Sequence, residues 1–204
     1  MPVHTIKAIV FDMGGVFVQT KDKNPRTQLA QRLGLSYEEL SQVVFESETA
    51  QLATEGAIEE AAHWTFIANH FDLNDAQLNR FWDDFWGGDA LDQELYAFAR
   101  GLKKKYALGL LSNAWDGARN LLKRKFGFLE IFDVAIFSAE AKMAKPDPKF
   151  YHWMLDALKV KAGETIFVDD FIENIQAARN LGFNTVHFIS TPQAIEEINK
   201  IIGS

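Results

Sequence analysis

The 204-residue sequence contains no cysteine, and this absence removes several kinds of chemistry. Without a thiol the chain forms no disulfide, holds no metal through thiolates and uses no cysteine nucleophile. The absence also fits a reducing compartment, so we expect a cytoplasmic protein. A metal or nucleophilic site in this chain therefore has to use other ligands, chiefly oxygen atoms.

Long apolar runs and clustered basic charge are also missing. The apolar run AIVF stops at Asp12, far short of the roughly 20 residues that a membrane span needs, and no signal-peptide cleavage pattern precedes it. The formal net charge is -7, whereas nucleic acids are bound by clustered Lys and Arg. We therefore expect neither a membrane nor a nucleic-acid partner.

The residues that are present have the composition of an ordinary folded protein, with 48% hydrophobic and 24% charged residues. Short β-branched and aromatic runs alternate with segments of helical periodicity, which predicts an α/β fold with a doubly wound parallel sheet. The predicted strands are 6–11, 106–112, 132–138, 165–170 and 184–189. The predicted helices that alternate with them are 91–104, 115–126, 148–159, 172–181 and 192–202.

Residues 12–105 separate the first two predicted strands and contain no strand-like run. A crossover connection needs only about a dozen residues, so something is inserted here. Ser36 and Glu39 form a capping-box pattern, and apolar residues recur at helical spacing through the segment. This pattern predicts a set of helices rather than a loop.

We accordingly divide the chain into an α/β core of residues 1–17 and 89–204 and a small helical domain of residues 18–88. Two segments link them. Gly87 and Gly88 lie in the second, and we interpret the paired links as a hinge. A length of 204 residues suits one main domain with a smaller one inserted.

Polar side chains lie at or just beyond the carboxyl ends of the predicted strands, which is where ligands bind in a parallel sheet. Three carboxylates, a hydroxyl with a neighbouring amide, and one ammonium are placed there: Asp12, Asp169, Asp170, Ser112, Asn113 and Lys145. Since the carboxyl ends of parallel strands share one edge, we expect these six side chains to converge.

Each of these residues also has a simpler interpretation. Asp170 is placed to cap a helix that begins near Ile172, and Ser112 or Asn113 to cap the helix that follows them, through bonds to free backbone N–H groups. Lys145 alone is typical of a surface lysine. Capping does not need two adjacent acids that face a third, however. Carboxylates at close range repel and are costly to desolvate, so the cluster indicates a cation, and oxygen ligands favour Mg²⁺.

Four segments together resemble the motifs of the haloacid dehalogenase (HAD) superfamily, and they occur in the family's order. They are VFDMGGVF, LLSNA, AKPDP and FVDDFIENIQAARNLGF. The chain is similar to the helical-cap phosphatases of this superfamily, including sugar phosphate phosphatases and the phosphatase domain of soluble epoxide hydrolase. The resemblance implies a Rossmann-like core, a helical cap domain in place of the inserted segment, and hydrolysis of a small phosphorylated metabolite.

The resemblance also implies roles for individual residues. Asp12 would be the nucleophile and would form an aspartyl phosphate that water then hydrolyses. Ser112 and the N–H groups around Asn113 would bind the phosphoryl oxygens, and Lys145 would neutralise charge on the nucleophile and the substrate. These roles amount to positioning and electrostatic stabilisation, which is most of what phosphoryl transfer needs.

For the metal, the resemblance implies that Mg²⁺ is held by Asp12, the backbone carbonyl of Gly14 and Asp170, with Asp169 bound directly or through water. Gly14 departs from the family pattern, because most of these phosphatases carry a second Asp there that protonates the leaving group. General acid help is worth about 10²- to 10⁴-fold, against total enhancements that approach ~10²¹ for phosphate monoesters. We therefore expect turnover to survive with a restricted set of leaving groups.

The glycine also keeps two alternatives open. The 2-haloacid dehalogenases of the superfamily lack the second Asp too and resemble this chain at Asp12, LSNA and Lys145. They work without metal and lack the paired acids, so Asp169 and Asp170 argue against this alternative. The other alternative is a catalytically weak member that binds a phosphorylated ligand or a protein partner. The sequence fixes neither the substrate nor the oligomeric state.

Overall fold

The computed structural model describes residues 5–203 and contains a five-stranded sheet with helices on both faces. Its strands, with those of a second small sheet, are β1 (Ala8–Phe11), β2 (Val18–Thr20), β3 (Asp89–Leu91), β4 (Ala107–Ser112), β5 (Val134–Phe137), β6 (Thr165–Asp169) and β7 (Asn184–His187). The large sheet has the order β5-β4-β1-β6-β7, and all its pairs are parallel. The predicted doubly wound α/β fold is confirmed.

The helices are α1 (Asn24–Arg32), α2 (Tyr37–Glu46), α3 (Glu48–Thr54), α4 (Glu60–His70), α5 (Asp75–Trp86), α6 (Gln93–Leu102), α7 (Ala118–Lys125), α8 (Ser138–Ala141), α9 (Pro148–Leu158), α10 (Ile172–Asn180) and α11 (Thr191–Gly203). The five helices predicted for the core correspond to α6, α7, α9, α10 and α11. Residues 1–4 and 204 of the predicted core lie outside the described residues. Within residues 5–203, no helix combines the length and the apolar character that a membrane crossing requires.

The central strand β1 is buried on both faces, which explains its continuous apolar sequence. Ile9 and Phe11 point to one face and pack with residues of α6, α7 and α11. Val10 points to the other face and packs with residues of α9 and α10. Asp12 is the first residue beyond this strand, so the fold places its carboxyl group at the edge of the sheet.

Helices α1 to α5 pack around an apolar cluster of their own. Its buried members are Leu29, Ala30, Leu40, Val44, Trp64, Ile67, Phe81 and Phe85. The capping box predicted for Ser36 and Glu39 is present at the start of α2, and Asn74 forms a second one at the start of α5. A helical unit therefore lies where the cap was predicted, and its limits at residues 18 and 88 stay a prediction.

The expectation that residues 12–105 contain no strand is wrong. Strands β2 and β3 form an antiparallel ribbon at the two links between the core and the helical unit, with Gln19 opposite Ala90. Each strand has three residues and pairs only with a segment distant in sequence, so local periodicity gives no signal. Gly88 lies at this ribbon because a Cβ there would overlap the backbone carbonyl of Asp22.

Candidate active site

Lys145 lies at the centre of the acid cluster. Its Nζ donates to Oδ1 of Asp12 and to Oδ2 of Asp169, each at 2.7 Å, and its side chain is 1% exposed. The interpretation of Lys145 as a surface lysine is therefore wrong. Burial alone would lower the pKa of Lys145, but the charges of Asp12 and Asp169 outweigh it, so the pKa is raised and the ammonium stays charged.

Asp169 uses both carboxylate oxygens in hydrogen bonds. Oδ1 accepts from the backbone N–H of Phe171 at 2.8 Å and from Nδ2 of Asn174 at 3.0 Å. Oδ2 accepts from Lys145 at 2.7 Å and also lies 3.2 Å from Nδ2 of Asn174. Asn174 was missed by the sequence analysis, although its position in the first turn of α10, five residues after Asp169, was the available signal.

Asp170 differs from its neighbour because its Oδ1 atom is buried and has no hydrogen-bond partner among the described residues. Burial, reinforced by the charge of Asp169, raises the pKa of Asp170 to about 6. The N-cap of α10 is Phe171, and no side chain caps that helix, so the proposal that Asp170 merely caps it is wrong. Gly15 packs against Asp170 so closely that a Cβ would overlap Oδ2.

Asp12 completes the cluster. Oxygen atoms of Asp12, Asp169 and Asp170 all lie within 4.8 Å of one another. Burial raises the pKa of Asp12 to about 7, with further increases from Asp169 and Asp170 that the attraction of Lys145 only partly offsets. Three acids with one ammonium leave a deficit of positive charge, and the unpartnered Asp170 oxygen is placed to bind a cation. The residues present therefore fit a hard divalent ion.

Gly14 is exposed at the turn after β1, and a Cβ added to it would meet no atom within 4 Å. The space that an acidic side chain would occupy is thus open. Beside it, Gly15, Gln19, Lys21 and Asp170 contribute to a cleft of about 750 Å³. The side chains of Gln19 and Lys21 therefore border the region next to the acid cluster.

Ser112 is buried at the end of β4, and Asn113 follows it. The Asn113 side chain accepts from the backbone N–H of Lys145 at 2.8 Å and donates to its carbonyl at 2.9 Å. Neither residue caps α7, whose N-cap is Gly117 without a side-chain bond, so that alternative is wrong. Asn113 instead fixes the main chain that carries the lysine, a role that the sequence analysis did not predict.

A parallel sheet with an aspartate-lysine cluster at its carboxyl edge and a helical insertion after the first strand defines a class of capped α/β hydrolases. Residues 6–182 match the haloacid dehalogenase-like hydrolase family. The chain belongs to this family, as the four sequence motifs indicated.

Proteins with similar sequences include a bifunctional epoxide hydrolase and two phosphatases. Bifunctional epoxide hydrolase 2 of Mus musculus is 32% identical over 120 residues, which are 56% of this chain and 22% of that protein. The chain therefore spans less than a quarter of that relative. The sesquiterpene phosphatase astK of Aspergillus oryzae is 28% identical over 200 residues, 98% of each chain. The D-ribitol-5-phosphate phosphatase of Bacteroides thetaiotaomicron is 25% identical and covers 98% of this chain and 100% of its own.

Solved structures share the fold. A predicted HAD-like family hydrolase from Porphyromonas gingivalis superposes with a TM-score of 0.78 at 20% identity and covers 98% of this chain and 99% of its own. The HAD family enzyme bt-2542 of Bacteroides thetaiotaomicron, crystallised with magnesium and inorganic phosphate, gives a TM-score of 0.72 at 24% identity, with 89% and 93% covered.

Proposed function

We propose that the protein is a Mg²⁺-dependent phosphatase of small phosphorylated metabolites that works through an aspartyl-phosphate intermediate. The observation that carries the proposal is the unpartnered, buried Oδ1 of Asp170 beside Asp12 and Asp169. An acid oxygen in this position is costly unless a cation binds it. Two relatives that match along their full length are named phosphatases, which supports the same reaction class.

In this proposal Mg²⁺ is held by Asp12, Asp170 and the carbonyl of Gly14, and when bound it supplies positive charge to the phosphoryl oxygens. Asp169 already uses both oxygens in hydrogen bonds, which favours contact with the ion through water over direct contact. Lys145 orients Asp12 by its bond to Oδ1, and its charge favours the ionised carboxylate against the effect of burial. Ser112 and the N–H groups near Asn113 bind the phosphoryl oxygens.

The reaction then has two displacements at phosphorus. A carboxylate oxygen of Asp12 forms a bond to phosphorus while the ester P–O bond breaks, and the leaving oxygen takes a proton. Gly14 has no side chain to supply that proton, so water or a group of the substrate supplies it. Water next forms a bond to phosphorus and loses a proton to solvent while the P–O bond to Asp12 breaks, so phosphate leaves and the Asp12 carboxylate is regenerated.

The test is a screen of phosphorylated metabolites with and without Mg²⁺, run beside a 2-chloro acid assay. We expect magnesium-dependent phosphate release and no chloride release. Chloride release without metal would overturn the phosphatase proposal in favour of a dehalogenase. Release of neither product would favour a member of the family that binds a phosphorylated ligand without turnover.

A further inference from the structure

Helix α4 of the cap domain and helix α7 of the core both begin without a capping side chain of their own. The N-cap of α4 is Glu59 and the N-cap of α7 is Gly117, and neither side chain caps its helix. Each helix is capped by an acid from the other side. Oδ1 of Asp116 accepts from the backbone N–H of Glu60, and Oε2 of Glu60 accepts from the backbone N–H of Gly117, both at 2.9 Å.

We propose that this reciprocal pair, Glu60 with Asp116, is a clasp that seats the cap on the core and positions residues 112–117, the segment that carries the phosphoryl-binding Ser112. Glu60 and Asp116 are thus positioning residues for the active site. The role in catalysis rests on the proposed phosphatase function, whereas the existence of the clasp rests only on the contacts.

The Glu60 carboxylate is held from both sides. Oε1 accepts from Nε1 of Trp64 at 2.9 Å, while Oε2 accepts from Gly117. A Cβ at Gly117 would overlap Oε2 of Glu60, so a larger residue there would displace the Glu60 carboxylate. The negative charge also lies at the N-terminus of α7, where the helix dipole favours it. The same holds for Asp116 at the N-terminus of α4.

Trp115 inserts into the cap beside the clasp. Its Nε1 lies 3.2 Å from the carbonyl of Ala50 and 3.1 Å from Oγ1 of Thr54, both in α3. Its ring centroid lies 4.7 Å from that of His63 and 5.6 Å from that of Trp64, both in α4. Three consecutive core residues, 115–117, therefore bind the cap through the ring of Trp115, the hydrogen bonds of its Nε1, and the two bonds that join Asp116 and Gly117 to Glu60.

The other end of the same segment is tied to the active site. Asn113 bonds to both backbone polar groups of Lys145, and the backbone N–H of Ala114 donates to Oγ of Ser138 at 2.9 Å. Residues 112–117 are thus fixed by the catalytic lysine at one end and by the cap at the other. A shift of the clasp is transmitted to Ser112 through only a few residues.

Amide hydrogen exchange tests the clasp without any substrate. Asp116→Ala removes the acceptor of the Glu60 amide but leaves the acceptor of the Gly117 amide in place. We expect both amides to exchange faster by about 2- to 30-fold, the range for loss of one helix cap, because the two bonds form together. Faster exchange of the Glu60 amide alone would show two independent caps and would overturn the clasp.

Activity tests the positioning role. We expect Asp116→Ala to lower kcat/KM by about 2- to 30-fold and to weaken inhibition by inorganic phosphate in parallel. Asp116→Asn retains a side-chain oxygen that can accept from the Glu60 amide, so kcat/KM and the inhibition by phosphate should both return to near the wild-type values. Asp84→Ala is the matched control, because Asp84 is an exposed acid of the cap domain that pairs with Arg32 in the same domain.

An equal fall in Asp84→Ala, or no rescue by Asp116→Asn, would overturn the positioning role. If the wild-type protein releases no phosphate from any ester, the proposed function fails. Measurements of inhibition and turnover then no longer test the positioning role. The exchange measurement then still decides whether the clasp exists, so the two failures are distinguishable.

Discussion

Lys145 organises the active site because its buried ammonium binds two of the three acids. It bonds to Asp12 and Asp169 but not to Asp170. Burial raises the pKa of Asp12 to about 7 and that of Asp170 to about 6, although the attraction of Lys145 opposes both shifts. The charge that would balance the third acid is absent from the protein side chains of the cluster, which is why we assign that role to a cation.

The first prediction concerns pH and magnesium. Both acids have an ordinary pKa of 3.8, so the folded state holds protons that the unfolded chain releases above about pH 4. Their contribution to stability is present at acid pH and is lost as pH rises through about 6 to 7. Mg²⁺ competes with these protons, so its stabilising effect should be larger at pH 7.5 than at pH 5.5.

Thermal unfolding with and without Mg²⁺ at the two pH values measures this effect. Asp170→Asn should remove most of the magnesium-dependent gain, because it removes a charged ligand while keeping the shape of the side chain. An equal magnesium effect at both pH values, or an unchanged effect in Asp170→Asn, would contradict the assignment.

The second prediction concerns Gly14. The open space around its Cβ direction lets Gly14→Asp fold without a clash, and the new acid can protonate a leaving group. We expect alkyl phosphates to be hydrolysed faster by up to about 10²- to 10⁴-fold and aryl phosphates much less, because an aryl oxide is a good leaving group already.

Comparison of kcat/KM for an alkyl and an aryl phosphate checks this prediction. Gly14→Asn is the matched control, since it fills the same space without a carboxyl proton. Equal acceleration of both esters, or the same gain in Gly14→Asn, would show that leaving-group protonation is not what Gly14 limits.

Among the secondary-structure elements, the β2–β3 ribbon depends on one buried arginine. Arg26 of α1 donates to the carbonyl of Phe85 at 3.0 Å and lies 3.4 Å from Oδ1 of Asp89 in β3. Its guanidinium also lies 4.1 Å from the ring centroid of Phe85. Arg26 therefore joins the first and last cap helices to the second link.

We predict that Arg26→Ala lowers the free energy of unfolding by about 3 to 5 kcal/mol, because it leaves the Phe85 carbonyl without this donor and Asp89 without its cationic partner, although Thr20 still donates to Asp89. Arg26→Lys should not restore it, since an ammonium lacks the planar fork. The control is Arg32→Ala in the same helix, whose exposed pair with Asp84 should contribute less than about 1 kcal/mol. Denaturant unfolding measures all three, and a loss at Arg26 no greater than at Arg32 would contradict this account.

The elements of the core could be predicted because strands buried on both faces leave unbroken apolar runs such as residues 8–11. The ribbon could not, since three half-buried residues carry no periodicity and five helices separate the two strands in the sequence. In the site, strand ends predicted that Asp12, Lys145 and Asp169 would meet. The amide contacts of Asn113 depend on loop geometry that residue spacing does not encode, whereas Asn174 had a signal in its position in the first turn of α10.

Across the whole molecule, the ribbon and the clasp are two of the contacts that join the cap to the core. The two chain links join them on one side, where β2 and β3 pair as a ribbon. The clasp of Glu60 with Asp116 joins them on the other, next to the segment that follows β4. The cap and the core are therefore joined by side-chain contacts as well as by the chain itself.

The central claim is that Asp12 is the nucleophile of a magnesium-dependent phosphatase. The most direct measurement is phosphate release from an aryl phosphate by the wild-type protein and by Asp12→Asn, each with and without Mg²⁺. We predict release by the wild type only with Mg²⁺, and a loss of at least about 10³-fold in Asp12→Asn, in line with the removal of other enzymatic nucleophiles. Undiminished turnover by folded Asp12→Asn, or full wild-type activity after chelation of metal, would contradict the claim.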